Sequence, residues 1–248
     1  MGGSVRSGLP RFRRGHHRHP GLSVGILCVN GPVRHEPADN PADDSTRSER
    51  FAVGRVEAFS DGVIAVAITL LVLDLRVPEP VAGVSLARRL GELWPSYLAY
   101  VISFLAIGIM WINHHAMLRR LAAVDHSVLV HNLVLLMCIV ALPFTTSLLS
   151  TYLNAPAGGH LAATVYAGSF LVTSLVFASL QRVLVLHRPH LLREPLSPHE
   201  QRWILRRGMI AAPVYLAAAL AGMLTPYLTL AMCIALGVFY LVPFSRLP

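Results

Sequence analysis

From residue 56 onward the chain alternates long apolar runs with short polar interruptions. The runs lie at about 56–76, 94–117, 127–152, 160–186, 203–223 and 227–244. Each approaches the roughly 20 apolar residues a helix needs to cross a bilayer core. In lipid, helices and closed barrels alone satisfy their own backbone groups, and these lengths are those of helices. The pattern therefore predicts an all-α integral membrane protein with six transmembrane helices, a single repeat unit and no second copy. Pro95, Pro143, Pro213 and Pro226 fall at the start of segments or inside them, and Pro143 and Pro213 are expected to kink their helices.

Composition agrees with this reading and removes others. Hydrophobic residues make up 54% of the 248 positions and charged residues 14%, far from an ordinary soluble domain. The net charge of +8 rests on arginine alone, since the chain has no lysine. Those arginines are not interleaved with aromatics on a soluble face, so no nucleic-acid partner is expected. Residues 1–50, rich in Arg, His and Pro, form a tail expected to be disordered. Its apolar patch, Leu22 to Val29, is too short to span and is not read as a signal peptide. Residues 51–248 form the transmembrane domain. Cys28, Cys138 and Cys233 are too dispersed for a disulfide framework or a metal site.

Arginine placement sets the orientation. With the N-terminus in the cytoplasm, the inner side carries Arg47, Arg50, Arg55, Arg119, Arg120, the arginines from Arg182 to Arg207 and Arg246, while Arg76, Arg88 and Arg89 fall outside. The positive-inside rule favours both termini in the cytoplasm, and an even number of spans agrees. A multi-pass protein of the plasma membrane is expected, with the lipid bilayer as a partner.

The first segment is distinctive because Arg55-Val-Glu-Ala-Phe59-Ser60-Asp61 runs without a break into a membrane-length apolar helix. Ionisable groups at such an edge must find partners or touch water. At 100° per residue, Phe59, Gly62, Val66, Thr69, Leu70, Leu73 and Val77 share one stripe, and Ser60 and Asp61 point away from it. On the residues alone, ordinary contact with lipid or protein is the better explanation of such a stripe.

The run Arg55-x-x-x-Phe59-Ser60-Asp61 resembles the signature of the transmembrane protein 175 family of lysosomal and bacterial potassium channels. Trp94-Pro95, Trp111-x-Asn113-His114-His115, Asn132 and Leu142-Pro143-Phe144-x-Thr146 match it further along, so that the resemblance covers residues 51 to 244. Because it begins near Arg50, a start codon assigned too early is an alternative source of the tail. The resemblance implies that single-unit members assemble as homotetramers and that four first helices line a potassium pore. Val66, Thr69 and Leu73 take the filter positions: Val66 and Leu73 as apolar rings, Thr69 as a layer of hydroxyl oxygens. A narrow apolar ring gates by dewetting and favours the ion that sheds water more cheaply, which is potassium rather than sodium. Relatives carry Ile or Leu at the first ring, so Val66 implies a wider constriction and weaker selectivity, with Leu70 as a substitute narrowing residue. The resemblance also implies that Arg55, Phe59, Ser60, Asp61, Trp111, Asn113, His114 and His115 form a structural polar network tying helices together.

No metal site is expected, because adjacent His114 and His115 diverge by about 100° on a helix and do not readily ligate one ion. No cofactor is expected beyond the permeant potassium ion. The chain has no phosphate loop, nucleophile elbow or His-Glu-x-x-His motif, so it is not read as an enzyme. A secondary or proton-coupled transporter is the alternative, although inverted repeats and midplane ionisable residues are not evident. A non-conducting membrane assembly protein is the third reading.

Overall fold

The computed structural model describes the backbone of residues 41–241 and the side chains of residues 53–240. The expected disordered tail falls almost wholly outside these residues, as do Cys28 and Arg246. Helix α1 runs from Pro41 to Leu70, and a 3-10 turn over Leu71–Asp74 tightens its end. It starts well before the apolar pattern does. Proline followed by Asp43 and Asp44 is a sequence that suits a helix N-terminus, so residues 41–50 are helical rather than part of a tail.

A short helix the hydrophobic pattern does not announce, α2 over Leu86–Glu92, precedes the second span. Ser85 caps it, and Arg88 pairs with Glu92 at 3.4 Å. Its charged residues hide it from a search for apolar runs. Helix α3 spans Trp94–Leu118, with Pro95 in its first turn. Helix α4 spans His126–Tyr152 and is capped by Asp125, whose Oδ1 accepts from the Val128 amide at 2.8 Å. Helix α5 spans Gly159–Arg182 and continues as a π-helical turn over Val183–His187. Helix α6, Pro198–Gly222, opens with a capping box between Ser197 and Glu200. Helix α7 covers Pro226–Leu241.

The helices α4 and α6 run on through Pro143 and Pro213. Among the described residues, five helices are long and apolar enough to cross a membrane, and α7, at 16 residues, is shorter. It rises about 24 Å, against roughly 30 Å for the hydrocarbon core. Among the described residues there is no strand, only an isolated bridge between Leu121 and Leu192. There the Leu191 carbonyl accepts from the Ala122 amide, and the Arg193 side chain donates to the Leu121 carbonyl at 2.8 Å. These contacts tie the α3–α4 loop to the segment that follows α5.

Packing follows the small residues. Ala163 and Ala167 of α5 and Ala218 and Ala219 of α6 are buried, and such residues let helix backbones approach closely in lipid. At Gly222 a Cβ would lie 2.8 Å from the Thr164 backbone nitrogen, so this crossing admits no side chain. A buried hydroxyl cluster joins three spans: Ser103 Oγ lies 2.8 Å from Thr146 Oγ1 and 3.0 Å from the Tyr166 hydroxyl. With no water in the bilayer core, each hydroxyl needs such a partner.

Candidate functional site

Helix α1 divides into two faces. Val53, Ser60, Ile64, Ala67 and Leu71 are buried, spaced three, four or seven apart as one side of a helix must be, and α1 packs against α3 and α4. Opposite them, Phe59 is 57% exposed, Val66 56% and Leu73 68%. Gly62, Thr69, Leu70 and Val77 are exposed as well. From Phe59 to Leu70 the stripe read from periodicity is thus the face that α1 turns away from its own protomer; Leu73 continues it in the 3-10 turn, and Val77 lies beyond the helix. Thr69 Oγ1 donates to the Val66 carbonyl at 2.9 Å. Its proton is engaged within the helix, so the exposed oxygen is left with lone pairs to offer a cation.

Behind this stripe, polar groups clasp α1 to α3 and α4 in two layers. In the inner layer Asn132 Nδ2 donates to Ser60 Oγ at 3.0 Å, and Asn132 Oδ1 lies 2.7 Å from His114 Nε2. Ser60 Oγ in turn donates to the Val56 carbonyl at 2.8 Å. Ser60 and His114 are fully buried and Asn132 nearly so. Distance and burial place the proton on His114 Nε2, since the Asn132 oxygen can only accept.

The outer layer is half-exposed and charged. Trp111 Nε1 donates to Asp61 Oδ1 at 2.9 Å. His115 Nδ1 lies 3.4 Å from Asp61 Oδ2 and 3.2 Å from Glu57 Oε1, and its ring packs on Trp111 with centroids 5.7 Å apart. The neighbouring histidines therefore serve different layers, as their 100° divergence requires. Glu57, Asp61 and His115 place one ligand atom each within 4.8 Å of one another.

Three residues expected in this network lie elsewhere. Phe59 sits on the outward stripe beside Val66, one position and 100° away from Ser60. Arg55 shares that outward face, is exposed, and makes no hydrogen bond or ion pair with any described residue. Asn113 turns back on its own helix, its Nδ2 donating to the Ile109 carbonyl at 2.8 Å. Conversely, Glu57 and Asn132 belong to the clasp. Glu57 sits inside the Arg55–Asp61 run, four residues before Asp61, and that one-turn spacing was the available signal. Asn132 stood among the matched motifs with no role attached to it.

Membrane-length helices, an apolar face left open on the first of them and a polar clasp behind it define a multi-pass membrane protein. The comparisons with known proteins say of which kind. The family model described as endosomal/lysosomal potassium channel TMEM175 matches residues 55–143, a stretch that holds the whole α1 stripe and every clasp residue. A potassium channel of Chamaesiphon minutus is 39% identical over 194 residues, which are 77% of this chain and 95% of the relative. One of Streptomyces collinus is 49% identical over 127 residues, 51% of this chain and 62% of the relative. The crystal structure of a lysosomal potassium-selective channel TMEM175 homologue from Chamaesiphon minutus superposes with a TM-score of 0.70 at 38% identity, covering 78% of this chain and 98% of that one. This chain belongs to the TMEM175 family, a family of ion channels and not of enzymes.

Proposed function

We propose that this protein is a potassium channel of the plasma membrane, in which four copies meet through their first helices and both termini face the cytoplasm. One observation carries the reading. The helix with the polar clasp holds its apolar stripe away from its own protomer, so the stripe is available to a symmetry axis. The bacterial relatives named as potassium channels support the choice of ion.

Conduction would follow from the stripe. Val66 and Leu73, repeated around a four-fold axis, form two apolar rings about 12 Å apart, at 1.5 Å per residue to Leu70 and about 2.0 Å per residue across the 3-10 turn. Such rings give an ion no ligands and discriminate through pore width and the cost of shedding water. Between them, Thr69 presents four oxygens whose protons are turned inward, a weak resting site for a partly dehydrated cation. Val66 is smaller than Ile or Leu, which makes Leu73, helped by Leu70, the dominant constriction. The clasp has a different role: it fixes the rotation of α1, and with it which residues reach the axis.

Flux from liposomes holding the purified protein tests this. Under imposed gradients, potassium should move faster than sodium. Leu73→Ala should raise flux and erase much of the preference, and Val66→Ala should do so to a smaller degree. Unchanged selectivity in both variants would remove the filter, and no flux from well-folded oligomers would remove the channel.

A further inference from the structure

Away from the stripe, helices α3, α5, α6 and α7 enclose a cavity of about 310 Å³ within the protomer, at the lower end of the range for small-molecule sites. Its depth is lined by apolar side chains such as Phe177, Ala211 and Leu236. Three of the polar side chains there turn their protons back on their own helices. Thr173 donates to the Ser169 carbonyl at 2.7 Å, Ser174 to the Leu171 carbonyl at 2.8 Å, and Asn113 to that of Ile109. Ordered water needs two to four polar partners. This wall suits an alkyl chain better.

The end of the cavity where α3 and α5 finish and α6 begins has a different character. Arg120, Arg207 and Gln181 line it. Arg207 lies over the rings of Trp203 and Tyr240, at 5.2 and 5.5 Å from their centroids, and forms no ion pair among the described residues. Arg120 has Glu200 within electrostatic reach but forms no ion pair within 4.0 Å with it, and Glu200 Oε2 accepts from the amide and hydroxyl of Ser197, both at 2.8 Å. Gln181 Oε1 is buried and accepts no hydrogen bond. It sits against Gly208, where any Cβ would collide with it. Two cations and an amphipathic aromatic pair stand at the mouth of an apolar slot.

We propose that this cavity binds an anionic glycerophospholipid. One acyl chain enters between Phe177, Ala211 and Leu236, and the phosphate sits between Arg120 and Arg207. A zwitterionic choline lipid offers no net negative charge. Basic residues at the membrane surface attract anionic lipid in proportion to their number, and guanidinium is the group best matched to phosphate.

Native mass spectrometry of the full chain, released from micelles containing phosphatidylglycerol or phosphatidylcholine, tests the site apart from conduction. The wild type should retain phosphatidylglycerol roughly thirtyfold better, as two basic contacts imply. Arg120→Gln with Arg207→Gln should abolish the preference. Ala211→Leu, which fills the slot and leaves both arginines, should lower retention of the lipid itself. A second measurement needs no filled cavity: phosphatidylglycerol brominated in its acyl chains should quench Trp203, read as the difference between wild type and Trp203→Phe, more than the brominated choline lipid does. Equal retention or equal quenching of the two lipids would overturn the proposal. So would retention untouched by Ala211→Leu in folded protein, displacement by glycerol phosphate as effective as by the lipid, or retention of oleate in preference to phosphatidylglycerol.

Discussion

Asn132→Ala should be among the most damaging single changes to the clasp, and its cost follows from the hydrogen bonds. The carboxamide donates to Ser60 at 3.0 Å and meets His114 at 2.7 Å. Truncation leaves Ser60 satisfied as a donor, because its hydroxyl still reaches the Val56 carbonyl. His114 fares worse: it is fully buried, and its other ring nitrogen already has no partner. A buried polar group left unsatisfied costs about 1–3 kcal/mol, and the lost bond to Ser60 adds about 0.5–1.5, so a loss of about 2–4 kcal/mol is expected. Asn113→Ala is the matched control. Its carboxamide bonds only the carbonyl one turn back on its own helix, so its removal should cost less than about 1 kcal/mol. Reversible unfolding by SDS in mixed micelles, followed by tryptophan fluorescence, measures both. A cycle with Ser60→Ala isolates the coupling between α1 and α4, expected at about 1 kcal/mol. Equal destabilisation by Asn132→Ala and Asn113→Ala, or a loss for Asn132→Ala below about 0.5 kcal/mol, would refute the assignment of Asn132 to the clasp.

Asp61→Ala should reduce the yield of monodisperse oligomer, since Trp111 Nε1 loses its acceptor and His115 is left with Glu57 alone. Asp61→Asn keeps an acceptor for Trp111 and should recover part of that yield on size-exclusion chromatography. Gly222→Ala forces a Cβ to within 2.8 Å of the Thr164 backbone and should cost about 1–3 kcal/mol by overpacking, seen as a lower thermal midpoint. Ser103→Ala strips the buried Tyr166 hydroxyl of its partner and should destabilise by about 1–3 kcal/mol in the same unfolding assay.

The sequence by itself determined which stretches lie in the membrane and which residues share a side of α1, while packing decided which of those sides faces outward. The first two are local periodic properties: a run of apolar residues long enough to cross a bilayer, and a 3.6-residue repeat that separates Val66 and Leu73 from Ile64 and Leu71. Tertiary structure decided everything that depends on which helices become neighbours. Ser60 meets Asn132 from 72 positions away, and no local pattern distinguishes that partner from Asn113, which has a similar setting in the sequence and bonds only its own helix. Glu57 joins the clasp because His115 of α3 arrives opposite it, whereas Arg55 and Phe59, inside the same motif, fall on the opposite face of the same helix. The early start of α1 and the polar helix α2 escaped a reading keyed to apolar runs. The cavity beneath Arg120 and Arg207 draws its wall from four helices. It exists because those helices pack around a space that their side chains leave unfilled, which is a property of the packed bundle and not of any one segment.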